Sequence, residues 1–282
     1  MKVILSRKGI DAGMSKKPSP IIGKNMLSIP IPTSGISYDD IQSCIGLPFG
    51  KVLSDLQIPL KYGANWTNAH TTGHLDPDLD INAIARKPGW RPAFGQISAA
   101  QTHLKNKGVQ EGDLFLFFGW FEHAEILDGV ATYKKSNSEG FHAIFGYMEI
   151  GEIYEIKTRQ DLDNLPEWLM YHPHCKFALG ETESGNNTVY VASERLSWND
   201  RISGAGLLRE DDKGRLSKPG LSRSKWQLDP AVFKDATISY HTKDSWKDDY
   251  FQTVGRGQEF VIDDNPKVEK WAQNLIEQLQ PA

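Results

Sequence analysis

The stretch "GDLFLFFGWF", Gly112 to Phe121, limits the fold more than any other part of the chain. From Leu114 to Phe121 it is uninterruptedly apolar and rich in aromatics, yet far shorter than the roughly 20 apolar residues a membrane-crossing helix needs. It lacks the polar alternation of a half-exposed strand, so it is expected to be a strand buried on both faces. Glu111-Gly112-Asp113 reads as the turn before it. After a polar loop, "FHAIFGYMEIGEIYEI", Phe141 to Ile156, is expected to form a second strand, bent at Gly146 or Gly151.

This pair is similar to the central hairpin of small β-barrels of the PUA, ASCH and EVE kind, which bind RNA or modified bases. The expected class is therefore α+β, with either a mixed or antiparallel sheet or a PUA-like β-barrel core, peripheral helices and long loops. "KVILS" reads as a strand that delivers the loop "RKGIDAGMSKKPSPI". From Ile21 to Trp90, Pro and Gly recur too often for long helices, and only "SYDDIQSC" suggests a capped short helix. "FGQISAAQTHLKNKG" is the clearest helix, with Ile97, Ala100, Gln101 and Leu104 at helical spacing and Gly108 able to supply a left-handed C-cap. Thr188 to Ala192 and "TISYH" read as strands. At the end, Val268, Trp271, Leu275, Ile276 and Leu279 share one face of a docked helix spanning about 265–279. With 282 residues, 39% hydrophobic and 24% charged, one domain over 1–282 is the expectation.

A net charge of −4 excludes a globally basic nucleic-acid coat but leaves room for a local patch that grips one nucleotide. Two cysteines, Cys44 and Cys175, form neither a disulfide framework nor a metal motif, which makes a reducing cytoplasm the default. The N-terminus carries no signal-peptide core, no apolar run is long enough for a membrane span, and no internal repeat recurs.

In "EWLMYHPHCKF" two histidines and a cysteine fall within four positions. If the segment is extended, His172 and His174 point one way and Cys175 the other. That spacing suits metal ligation, acid/base work or hydrogen bonding to a base or phosphate. A second half of a metal site could come from "HTTGHLDPDLD", where His70 and His74 precede Asp76 and Asp78. Thr, Gly and Pro around them disfavour the helix an HxxxH pair requires. No spacing matches a zinc signature, and no residue is assigned as a metal ligand. Ser193, Glu194 and Arg195 end a strand, whereas "TVGRGQEF" combines glycine freedom with Arg256, Gln258 and Glu259. GxSxG, GxGxxG and GxxxxGK[ST] are absent, so triad hydrolases, Rossmann dehydrogenases and P-loop ATPases have no support, and no cofactor is named.

Taken in order, "ILSRKGIDAG…PSPI", "SIPIP", "GHLDPDL", "GWRPAFGQISAAQTHL", "GDLFLFFGWF", "HAIFGYMEIGEIY", "WLMYHPHC", "NTVYVASERLS", "SGAG", "LSRSKWQL" and "GRGQEFVID" resemble the third of the nucleotide-modification-associated domain families. The resemblance runs from Lys2 to about Ile276. It implies a bacterial or phage protein acting on DNA bases or nucleotides, with nucleotide or DNA as partner. Carried over residue by residue, it implies site roles for Arg7, Lys8, Asp11, Ser19, His74, Asp76, Asp78, Gln96, His172, His174, Ser193, Glu194, Arg195, Arg256, Gln258 and Glu259. The segment between Asp11 and Pro18 is less glycine-rich than the family pattern, which leaves the placement of that loop open.

Residue chemistry and resemblance agree on a type of site. Arg7, Lys8 and Arg256 would hold phosphate or carboxylate, and Gln96 and Gln258 would read a base edge. Asp11, His172, His174, Glu194 and Glu259 would supply acid/base chemistry, with Ser19, His74, Asp76, Ser193 and Arg195 contacting substrate. Aromatics of "FFGWF" and Tyr171 could stack on a base, although core burial suits the former better. Three readings follow: a base- or nucleotide-modifying transferase, a non-catalytic reader of modified bases, and a metal-dependent hydrolase using His172, His174, His74 and Asp76. The pocket so drawn expects His172 or His174 to face Glu259 at hydrogen-bonding distance.

Overall fold

The computed structural model describes residues 1–69, 71–135, 139–176, 186–255 and 257–281. Its principal strands are β1 (Val3–Arg7), β2 (Ser19–Ile22), β3 (Ile31–Ser37), β4 (Thr72–His74), β5 (Ala93–Ile97), β6 (Leu114–Leu127), β7 (Phe141–Ile156), β8 (Asn187–Ala192), β9 (Ala205–Leu207) and β10 (Glu259–Ile262). The helices used below are α1 (Phe49–Asp55), α2 (Ser98–Asn106), α3 (Pro173–Lys176) and α4 (Pro266–Gln278).

A mixed ten-stranded sheet runs β10-β1-β6-β7-β8-β5, with β2 parallel to the outer half of β6 and β9 beside β7. The class is α+β, as expected, in its mixed-sheet form. The PUA-like barrel alternative does not hold, because the sheet ends at β10 and β5 with no backbone ladder between them among the described residues. β1 pairs parallel to β6 and antiparallel to β10.

The aromatic run behaves as its composition dictates. Leu114, Leu116 and Phe118 enter one core, while Phe115, Phe117 and Phe121 enter the other, the period-two division of a strand buried on both faces. β7 reaches its expected limits and is irregular near both glycines: its register shifts between Ile144 and Gly146 against β6, and between Ile150 and Glu152 against β8. Each shift inserts one residue, so the facing pattern slips by one. Ile144 and Tyr147 therefore share the first core, and Phe145 and Met148 share the second.

α4 covers the first core with Val268, Ala272, Leu275 and Ile276. Its start is fixed by Asn265, whose side chain accepts hydrogen bonds from the backbone N–H of Lys267 and Val268 at 3.0 and 3.2 Å, with Pro266 in the first turn. α2 ends as expected, with Gly108 at φ +62.

Four local expectations are corrected. The start of "FGQISAAQTHLKNKG" is strand rather than helix: Phe94 to Ile97 lie in β5, paired with β8, and α2 begins only at Ser98. "SYDDIQSC" is a turn rather than a helix: Tyr38 is fully buried with its hydroxyl donating to the Pro30 carbonyl at 2.6 Å, and the nearby helix starts later, at Phe49. "TISYH" makes only an isolated bridge, from Ile238 to Ile262. "YHPHC" is not extended. Pro173 opens the helical turn α3, a position where its missing N–H costs nothing.

The irregular chain before Trp90 builds a separate core around Leu27, Ile29, Tyr38, Val52 and Leu53. Its β3/β4 ribbon joins Ile31 to His74. It is tied to β5 by two backbone hydrogen bonds between Asp78 and Ala93, 2.9 and 3.1 Å long. That connection carries His74 and Asp76 to the edge of the main sheet. No helix among the described residues is long and apolar enough to cross a membrane.

Candidate functional site

The end strands β10 and β5 are bridged by side chains. Gln96 on β5 donates its amide to Glu259 Oε1 on β10 at 2.6 Å, and Lys8, just past β1, reaches the same oxygen at 2.7 Å. Lys8 also lies 4.2 Å above the centre of the Phe94 ring. Glu259 is 1% exposed, and its second oxygen, Oε2, is buried without a hydrogen-bond partner. The pair is screened from water and ties the two edges where the ladder does not close.

Beside this seam opens a cavity of about 560 Å³, within the range of small-molecule sites. Arg7, Lys8 and Asp11 enter it from the end of β1, His74 and Asp76 from the ribbon, Gln96 from β5, His174 from α3 and Gln258 from the approach to β10. A hollow of about 430 Å³ shares Arg7, Lys8, Asp11 and Gly255 with it and extends towards Trp120 and Arg223.

Arg7 is held by backbone carbonyls. Its guanidinium donates to Gly255 at 3.1 Å and Val254 at 3.3 Å, while Nε is buried without a partner. Burial pushes its pKa down, partly offset by the charge of Asp11. The Asp11 carboxylate in turn accepts from the Gly13 N–H at 2.7 Å, a local turn that fixes the loop.

The histidines gather around Asp76. Its Oδ1 accepts from the Gly95 N–H at 2.9 Å and lies 3.4 Å from His172 Nε2. Its Oδ2 lies 3.6 Å from His174 Nε2 and 3.9 Å from His74 Nε2. Burial works to raise the Asp76 carboxyl, but the rings of His172 and His174 outweigh it and hold the group well below the usual carboxylate range. Burial lowers His74 to about 4, against the pull of Asp76, so that ring is neutral near pH 7. His174 donates from Nδ1 to Asn187 Oδ1 at 2.8 Å, and Asn187 returns a hydrogen bond from its amide to the His174 carbonyl at 2.9 Å. Gly95 lies directly beneath this ring: a Cβ there would stand 2.2 Å from its carbon atoms.

Arg7, Lys8, Asp11, His74, Asp76, Gln96, His174 and Gln258 therefore meet at one cavity. His172 is buried behind Asp76, and Glu259 behind Lys8 and Gln96. The expected contact between a "YHPHC" histidine and Glu259 is replaced by contacts to Asp76, because α3 packs against β5 and Asn187 of β8. Gln96 directs its amide nitrogen to Glu259 and accepts from the Ile97 N–H. Ser19 accepts from the Ile29 N–H at 3.1 Å and serves the wrap. Asp78 is clamped by both guanidinium nitrogens of Arg86, each at 2.5 Å. Ser193, Glu194 and Arg195 follow β8 and do not line the cavity, and the latter two are exposed. His70 and Arg256 lie outside the described residues. Sequence reasoning missed Gly95 and Asn187, which place Asp76 and His174; "FGQ" and "NNT" held the signal, a glycine in a strand and an amide at a strand start.

The fold and cavity define an α+β protein with a cavity lined by charged residues at the seam of an unclosed mixed sheet. The chain belongs to the nucleotide modification associated domain 3 family, whose model matches residues 2–263. Comparison with curated proteins and with solved structures gave no significant match.

Proposed function

We propose that the protein binds a nucleotide or a nucleic-acid base in the seam cavity and modifies it there. The observation that carries the reading is the convergence, in one cavity of about 560 Å³, of the partly unpaired, desolvated Arg7 with the His74/Asp76/His174 cluster. A half-buried cation held by neutral carbonyls attracts an anion, and phosphate is the anion a nucleotide brings. Gln258 stands on the same wall and suits a base edge. The continuing hollow towards Arg223 leaves room for a phosphate or a further nucleotide. Membership in the family supports the substrate class. The histidine cluster favours an enzyme over a passive reader, since buried imidazoles around one carboxylate are the equipment of proton transfer or ion binding.

Isothermal titration with nucleoside monophosphates and with short single-stranded oligonucleotides tests the reading. Wild-type protein should bind at least one of them, and Arg7→Ala should weaken binding about tenfold to a hundredfold, the worth of one charge-assisted hydrogen bond. Binding unchanged in Arg7→Ala would remove that residue from the site, and absence of any binding would refute the proposal.

A further inference from the structure

We propose that His74, Asp76 and His174 hold one divalent transition-metal ion, of the Fe(II), Co(II) or Zn(II) class, at the floor of the seam cavity. The inference shares its cavity with the reading above and names the reacting centre of that site.

The argument begins with proton positions. Asn187 Oδ1 only accepts, so His174 Nδ1 must carry the proton in their 2.8 Å hydrogen bond. Whenever that ring carries one proton, its opposite nitrogen, Nε2, turns a lone pair to Asp76 Oδ2 at 3.6 Å. Two lone pairs facing each other in a buried site repel unless a proton or a metal ion lies between them. His74 Nε2 adds a third donor, 3.9 Å from the same oxygen. One ligand atom from each of the three residues lies within 4.8 Å of the others. Donors around an ion at about 2.0–2.2 Å sit roughly 3.0–3.6 Å apart, so modest side-chain rotations close the set.

The surrounding groups are arranged as a metal site needs. Asp76 Oδ1 accepts from the Gly95 N–H at 2.9 Å, which leaves Oδ2 for the ion. His172 Nδ1 accepts from the His174 N–H at 3.3 Å, and its Nε2 stands 3.4 Å from Oδ1 without a hydrogen bond, so His172 backs the carboxylate and is not itself a ligand. Asn187 fixes the tautomer of His174. Fixing ligand tautomer and angle in this way is the usual work of groups behind a metal site. Two imidazoles and one carboxylate leave the remaining coordination positions open to the cavity, where His74, Asp76 and His174 are exposed to a ligand.

The test uses the full chain stripped with chelator and titrated anaerobically with Co²⁺ and Fe²⁺, following the visible Co²⁺ spectrum and equilibrium dialysis. Wild-type protein should bind one equivalent, His74→Ala and His174→Ala should each weaken binding at least a hundredfold, and Asn187→Ala should weaken it about tenfold to a hundredfold. His74→Gln, at a half-buried position, gives a second removal where a buried variant fails to fold, and circular dichroism checks each. Absence of stoichiometric binding, or binding that survives loss of His74 and His174, overturns the proposal. Nucleotide titration of the stripped protein separates the two readings: metal without nucleotide leaves this site standing alone, and nucleotide without metal leaves only the function above.

Discussion

Replacing Gly95 by Ala adds a single methyl group where the structure has no room for it. The new Cβ would lie 2.2 Å from two ring carbons of His174 and 2.8 Å from its Nδ1. Ordinary carbon contact begins near 3.5 Å, so the ring must retreat by more than about 1 Å. Retreat is opposed by Asn187, which holds both the ring and the backbone carbonyl of the same residue. Backbone strain plays no part, because Gly95 is not among the glycines at positive φ. Overpacking of this kind costs about 1–3 kcal/mol, offset by roughly 0.4–1 kcal/mol from the stiffer unfolded chain. The net expectation for the metal-free protein is a loss of about 1–2 kcal/mol, measured by urea unfolding. The decisive comparison is the double variant Gly95→Ala/His174→Ala. With the ring gone, the methyl has space, and adding Gly95→Ala to His174→Ala should cost nothing or stabilise slightly. An equal cost in both backgrounds would refute the packing argument and, with it, the claim that Gly95 exists to seat His174.

The Lys8–Glu259 pair should behave as a buried unit: Glu259→Leu is expected to cost about 3–5 kcal/mol in urea unfolding, whereas Lys8→Met/Glu259→Leu should recover most of that loss, and equal costs would contradict the pairing. His142 accepts from Trp226 Nε1 at 3.2 Å, and burial, aided by Arg7 and Arg223, lowers it to about 3 from 6.5. Its folded pKa lies below its unfolded one, so its contribution is complete above pH 6.5 and is lost as pH falls towards 3, at up to about 1.4 kcal/mol per pH unit. His142→Gln, which keeps the acceptor, should flatten the stability profile between pH 6 and about 4, and a slope identical to wild type would exclude the residue. Leu275→Ala, on the buried face of α4, should cost about 2–5 kcal/mol with no change in nucleotide or metal affinity, and altered affinity at unchanged fold would link α4 to the site.

The parts of the fold that were legible in sequence are those whose signal is local. β6 and β7 are buried on both faces, so their apolar content alone defines them, α4 carries a helical period, and α2 shows its glycine end although its start is hidden behind the strand β5. The barrel expectation failed for a reason that is not local: closure needs the β5 and β10 backbones in register, and there the bridge is an ion pair and an amide. No residue type announces that substitution. Much the same holds for "SYDDIQSC", where the burial of Tyr38 under the ribbon overrides a plausible capping pattern.

The site divides along the same line. Arg7, Lys8 and Asp11 were readable because a strand end followed by a charged loop projects its side chains into one place. His174 was readable as chemistry but not as geometry. An extended "YHPHC" would have set both histidines on one face, whereas α3 instead turns His172 behind Asp76 and leaves His174 in the cavity. Asp76 was readable as a candidate metal or substrate contact in "HLDPDL", but its placement lies in the two Asp78–Ala93 hydrogen bonds that bring this loop to Gly95. Backbone hydrogen bonds of that kind are indifferent to side-chain identity, so the join between "HLDPDL" and "YHPHC" leaves no mark in either segment. What sequence does retain is the consequence of the join, a glycine at 95 where a methyl group would strike His174. Within a strand, such a glycine points to a close approach from another segment, and here the segment that approaches carries the His174 ring that faces the cavity.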